Sequence, residues 1–363
     1  MNASEPAGLA LRERRVGARQ LRAQKTQIAT RANAVFLARH PEWLIRYGDL
    51  ATTHGIADAA FHVEFLAGAL ETGEAAAFTD YVAWLLDVLQ SRGIPAEAVV
   101  ESLELVGQEA LLVLDSATRV SLEGMLGAGI SRARDGADPA ASQSEPTDEA
   151  PLARAYRAFL QSLLQGERQG AVGIAREALR VAAHPTDVYV DVFQRALGEI
   201  GRRWQLNRIT VAQEHMATAI VQFVLAQLYS SLDRSAPVRG NALVTGVEGE
   251  LHQVGANLVA DALELDGWRV HFLGTNVPHD GIVDAAAEMK ADVVGISATM
   301  IFNVDPVARL VESVRGMKGR SAPHILVGGG AFRNAPNLWK DVGADGSARD
   351  VRGACTIARE GQS

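Results

Sequence analysis

The chain has 363 residues, a formal net charge of −8, 48% hydrophobic residues and 21% charged residues. That length suits two or three domains with sizeable cores, and the acidic balance argues against a surface coated for nucleic acid. The single cysteine, Cys355, excludes an intrachain disulfide and a Cys-rich zinc site and argues against a thiol-linked chromophore.

No apolar run approaches the roughly 20 residues that span a bilayer. The N-terminus is polar and Arg-rich, without a secretory apolar segment. The expectation is a soluble, cytoplasmic protein with no membrane or direct nucleic-acid partner. Residues 1–26 read as a flexible basic lead-in. Arg12, Arg14, Arg15, Arg19, Arg22 and Lys25 lie there on a frayed, solvated helix, the alternative being contact with an acidic partner.

Residues 27–134 are helical text, with apolar residues three and four apart, as in Phe78, Tyr81, Val82, Leu85, Leu86 and Leu89. Breaks are expected at His40-Pro41, His54-Gly55, Thr72-Gly73 and Arg92-Gly93-Ile94-Pro95, which gives at least four helices, the last from Ala96 to Ala133. Residues 135–151 are small, polar and Pro-punctuated and read as a linker. A second helical block, 152–234, breaks at Gln165-Gly166, His184-Pro185 and Asn207-Arg208, the pattern of a four-helix bundle. From 240 to 360 the period changes. Ala242–Thr245, Trp268–Leu273, Asp292–Ser297 and His324–Val327 read as buried strands, alternating with helices at Val254–Leu265, Ile282–Lys290 and Pro306–Arg315. That alternation predicts a Rossmann-like α/β domain with a parallel sheet.

In such sheets ligands sit at the C-terminal strand ends. The loop after the first strand carries Glu250-Leu251-His252 and, three residues on, Gly255. A carboxylate two places before a histidine can fix its tautomer and make it a better metal donor, and Gly255 lets the next helix start close to the sheet. Ser297 and Thr299 end the third strand and Gly328-Gly329 the fourth, on the same edge. The alternative for His252 alone is an ordinary loop histidine.

This pattern resembles B12-binding domains, which read Asp-x-His-x-x-Gly, then Ser-x-Leu or Ser-x-Thr, then Gly-Gly. Here 41 residues separate Gly255 from Ser297 and 28 separate Thr299 from Gly328, with Glu250 in place of Asp. The resemblance implies cobalamin, with His252 as the lower ligand to cobalt and Glu250, Gly255, Ser297, Thr299, Gly328 and Gly329 around the cofactor.

Within the preceding bundle, Trp204 is followed after nine residues by Glu214-His215. Beside a B12 domain this resembles the cobalamin-dependent photoreceptors of the light-sensing repressor type. The resemblance implies adenosylcobalamin, with Trp204 against the adenosyl group, Glu214 and His215 near it, and photolysis that alters packing. The alternative for Trp204 is core packing. Gln205 stands where the repressors carry a second histidine, so His215 or water would take the vacated cobalt position. No winged-helix DNA-binding pattern occurs in residues 1–150.

The domain order is similar to that of photocobilins, which implies a globin-like N-terminal domain and biliverdin held without a covalent bond. On that reading His40, Trp43, Arg46, Tyr47, His54 and His62 form the bilin pocket; the alternative is ordinary core aromatics and surface histidines. The function expected is a light sensor without a catalytic domain, a homo-oligomer (dimer) changing with light and acting on an unidentified downstream protein. The alternative is a corrinoid protein carrying methyl groups for a methyltransferase system, against which the bulk of Trp204 counts. A radical mutase is excluded, since no room remains for a substrate barrel of about 250 residues.

Overall fold

The computed structural model describes residues 10–136, 152–230, 238–317, 322–333, 335 and 337–361. The chain divides into two compact units, Met1–Ala141 and Ser142–Ser363.

The first unit is all-helical. Its helices are α1 (Leu11–Arg39), α2 (Pro41–Tyr47), α3 (Asp49–Thr72), α4 (Ala75–Gln90), α5 (Ala96–Leu111) and α6 (Ser116–Arg134). The expected flexible lead-in is corrected here: from Leu11 onward it is the first part of α1, burying Gly17, Ala18 and Leu21. Three of its cations turn inward, while Arg12 and Arg19 stay exposed as expected. Arg14 donates to the Thr72 carbonyl at 2.8 Å, Arg22 pairs with Glu71 and Glu64, and Lys25 pairs with Glu64. Part of a charged stripe that reads as solvated is therefore the seam to α3.

Two further expectations change. His54-Gly55 does not break α3; a Cβ on Gly55 would stand 2.1 Å from the Asn33 side chain, so the glycine serves the close approach of α1. The long final helix is two helices, because Asp115 accepts a hydrogen bond from the Thr118 N–H at 2.9 Å and starts α6 afresh. The linker falls largely on residues 137–151, outside the described residues.

The second unit opens with the bundle: α7 (Ala153–Gln165), α8 (Arg168–Val181), α9 (Pro185–Val188), α10 (Arg195–Gln205) and α11 (Val211–Tyr229). A π-helical turn over Tyr189–Gln194 joins α9 to α10, so these pieces form one bent rod. The α/β part follows, with β1 (Asn241–Val247), α12 (Gln253–Leu265), β2 (Arg269–Val277), α13 (His279–Glu288), β3 (Val293–Ser297), α14 (Val304–Arg315), β4 (His324–Gly328), α15 (Gly330–Arg333), α16 (Leu338–Asp341), β5 (Gly346–Ala348) and α17 (Val351–Glu360). All pairings are parallel, in the order β2-β1-β3-β4-β5. α12 packs with α17 and α13 with α14, covering both faces. The strand order reverses between β1 and β3, the switch point where doubly wound sheets bind ligands.

One apolar core runs through bundle and sheet, from Phe159, Tyr189 and Val224 to Leu263, Val293 and Ala354. At its margin Arg352 of α17 reaches Asp187 at 2.8 Å and Asp191 at 2.7 Å. The bundle is thus seated on the α/β part of the same unit.

Candidate functional site

The register places Gly246 of β1, Ser297 of β3 and Gly328 of β4 side by side at the C-terminal edge. Beyond β1 the chain turns through Gly249 (φ 85), whose N–H donates to Asn276 Oδ1 at 2.9 Å. Asn276 is itself in the left-handed region (φ 57), where asparagine is better tolerated than most residues. This turn delivers Glu250 into the interior and His252 to the rim.

Glu250 is fully buried. Its Oε1 accepts from the His252 backbone N–H at 2.8 Å and lies 2.6 Å from His252 Nδ1. Its Oε2 accepts from the Thr299 N–H and from Asn303 Nδ2, the latter at 3.2 Å. Burial alone would raise the carboxyl pKa, but the hydrogen bonds from His252 and Thr299 outweigh it, so the group stays ionised below the usual carboxylate range. The bond from Glu250 raises the His252 pKa, with further help from the charges of Glu250 and Glu214. His252 is 58% exposed at its side chain. With Nδ1 engaged inward, Nε2 is the nitrogen left for a ligand.

The glycines answer to two different demands. Gly329 has φ 101, and a Cβ there would stand 2.3 Å from the Ala298 carbonyl oxygen; one on Gly330 would stand 2.7 Å from that of Thr299. The loop after β4 therefore lies directly on the loop after β3. Gly255 differs from expectation. A Cβ there meets nothing within 4 Å, so it leaves open space beside the His252 loop rather than bringing α12 onto the sheet.

Trp204, in the last turn of α10, is half-buried and packs against the unit's core, which gives it the packing role held open above. Glu214 lies in the first turn of α11, close enough for its charge to act on His252. It accepts from Thr218 Oγ1 at 3.0 Å and pairs with the Nδ1 of His215, an exposed side chain. A cavity of about 490 Å³ opens between α13 and α14 beside Val247 and Glu248; His252 does not line it.

In the first unit the contacts of the named residues fall into two groups. At the α1–α2 corner Trp43 lies edge-on to Phe36 and beside Tyr47, and Arg46 sits 5.0 Å over the Tyr47 ring. His40 bonds Glu42 at 3.1 Å and Glu101 at 2.6 Å, so both ring nitrogens face carboxylates. His62 is buried in the core, 2.7 Å from the Tyr81 hydroxyl, and Tyr81 is stacked on Phe65. His54 lies close enough for its charge to act on the Asp58 carboxyl. Asn276 and Asn303 were missed by the sequence reading. An Asn closing a strand before Val-Pro is a turn signal, whereas nothing local marks Asn303.

Residues 240–356 match the family model described as the B12 binding domain, and residues 155–229 match a second model of the same description. This is a cobalamin-binding protein. The chain is 24% identical over 205 residues to "Corrinoid protein DSY3155" of Desulfitobacterium hafniense, covering 55% of this chain and 94% of that one. It is 29% identical over 167 residues to "Dimethylamine corrinoid protein 3" of Methanosarcina mazei, covering 45% and 98%. Among solved structures, the monomethylamine corrinoid protein of Methanosarcina barkeri aligns with a TM-score of 0.51 at 20% identity, covering 58% of this chain and 99% of that one; this likeness concerns the fold. The donor set of the cobalamin-binding protein fits the cofactor. An imidazole braced by a buried carboxylate suits a transition metal, and Gly255 leaves open space beside the loop that carries it. Among the described residues no helix is long and apolar enough to cross a membrane.

Proposed function

We propose that this chain is a corrinoid protein that carries methyl groups for a separate methyltransferase, with His252 Nε2 as the atom that would hold the cobalt. The observation that carries the reading is the exposed imidazole braced by buried Glu250, on a bundle-plus-sheet unit matching nearly the full length of corrinoid proteins. The bound corrinoid supplies a metal that accepts and releases an alkyl group. The protein's own part is to hold the ligand's orientation through Glu250, to leave space beside the His252 loop at Gly255, and to set the bundle opposite through Glu214 and Trp204. No catalytic domain is assigned to the chain, and the methyl donor and acceptor would be bound by the partner.

A second reading rests on Glu214, whose charge reaches His252, and on the Trp-x9-Glu-His spacing that places Trp204 one loop earlier. It makes the chain a light sensor with adenosylcobalamin, and with biliverdin in the first unit, changing oligomeric state or partner binding on illumination. Trp204 packs into the core, so it is a weaker obstacle to methyl exchange than its size suggests.

One pair of measurements separates the two. The reduced, corrinoid-loaded chain is mixed with a methylamine:corrinoid methyltransferase and each methylamine, and methylated cofactor is followed by absorbance. The adenosylcobalamin-loaded chain is run on a sizing column in the dark and after green light. Methyl uptake with an unchanged elution volume is the expected result. A light-driven shift in elution volume without methyl uptake would overturn the carrier reading in favour of sensing.

A further inference from the structure

The two oxygens of Glu250 divide their work. Oε1 takes both bonds from His252, one from the backbone and one from the ring. The carboxylate plane, and with it the direction of the imidazole, is then set by what holds Oε2. That atom has two donors, the Thr299 N–H and the amide of Asn303. Thr299 is fixed by the backbone, so Asn303 is the one side chain that completes the brace. It is 3% exposed, on the 3-10 turn Ile301–Asn303 that leads into α14. The Ser297 hydroxyl takes no part in this network, although Ser297 ends the strand beside β1. A glutamate is one methylene longer than an aspartate, and that extra reach carries its carboxylate past the strand end to the 3-10 turn.

We propose that Asn303 is a positioning residue for the cobalt ligand, acting through Glu250 to orient His252 from the 3-10 turn after β3. The inference rests on His252 as the ligand. A buried carboxylate stripped of one of its donors gains by turning toward another, and Oε1 cannot turn without moving the ring. Partners one shell out from a metal ligand typically matter by ten- to a hundredfold in affinity.

The test uses the full chain grown with nitrogen-15 histidine and loaded with cob(II)alamin. Electron paramagnetic resonance then reads the axial nitrogen: a doublet for protein histidine, a triplet for the cofactor's own base. Wild type should give the doublet and His252→Ala should not; a wild-type triplet would remove the ligand reading itself. Given the wild-type doublet, Asn303→Leu, of similar shape but without the donor, and Asn303→Ala should bind hydroxocobalamin about tenfold more weakly. They should also show a reduced doublet fraction at saturation, with wild-type circular dichroism. Asn303→Leu keeps the side chain's shape, so the test stands even where the alanine variant fails to fold. Affinity within about twofold of wild type and an undiminished doublet in the folded variants would overturn the proposal.

Discussion

A carboxylate taken fully out of water is stable only when donors replace its hydration, and Glu250 has four, from His252 twice, Thr299 and Asn303. Two glycines around that arrangement differ in what they resist. Gly329→Ala forces a Cβ to 2.3 Å from a backbone oxygen at φ 101, and should cost the second unit about 2 kcal/mol or more. Gly255→Ala, in the first turn of α12 with nothing within 4 Å, should leave the apo protein as stable or up to about 1 kcal/mol more so. If the space beside Gly255 belongs to the cofactor, that same variant should bind hydroxocobalamin more weakly. Urea denaturation and a spectral titration on both variants check this; equal stability changes would refute it. His62 carries a pH prediction for the first unit. Burial lowers its pKa from 6.5 to about 4, so the unfolded chain binds a proton there that the folded chain refuses. Its contribution is therefore complete above about pH 6.5 and is lost as pH falls toward 4, to a limit of about 3 kcal/mol. His62→Gln should flatten the fall in urea midpoint across that window, and a slope equal to wild type would show that His62 is not its source.

Helix starts decide how the bundle presents its residues to His252. Thr210 accepts from the Gln213 N–H at 3.2 Å while Gln213 accepts from the Thr210 N–H at 2.9 Å, a reciprocal cap on the turn that carries Glu214 and His215. Thr210→Ala should lower the second unit's stability by about 1 kcal/mol and raise amide exchange in that first turn. Exchange unchanged at Glu214 would mean that packing, not the cap, holds the turn. The same elements show which structure is legible in sequence. Four strands and the bundle breaks at Gly166 and Pro185 are written in apolar runs and in residues with restricted or permissive backbones. β5 is not, because Gly346–Ala348 is three small or polar residues paired only along β4. α1 escapes because arginines facing Glu64 and Glu71 look the same in sequence as arginines facing water. At the site, His252, Ser297 and Gly328 are found by spacing, since strand ends aligned in register must recur at set intervals. Asn303 is not, for its partner lies 53 residues away in sequence and no period links them.

At the scale of the whole chain, each unit encloses its own core, one built on Leu21, Leu66, Phe78 and Leu103, the other on Phe159, Tyr189, Val224 and Leu263. The residues assigned to cobalamin, from Trp204 to Gly329, all belong to the second. A ligand that binds only the folded form stabilises what it binds by mass action, about 2.7 kcal/mol at a hundredfold excess over its dissociation constant. Calorimetry of the full chain with hydroxocobalamin in the dark should therefore raise the transition of the second unit and leave that of the first in place. The His252→Ala variant should show a smaller rise, because the cofactor would lose its protein ligand while keeping the contacts of the strand edge. A rise of equal size in both transitions would place part of the cofactor's action on the first unit, and the assignment of binding to the second unit alone would then fail.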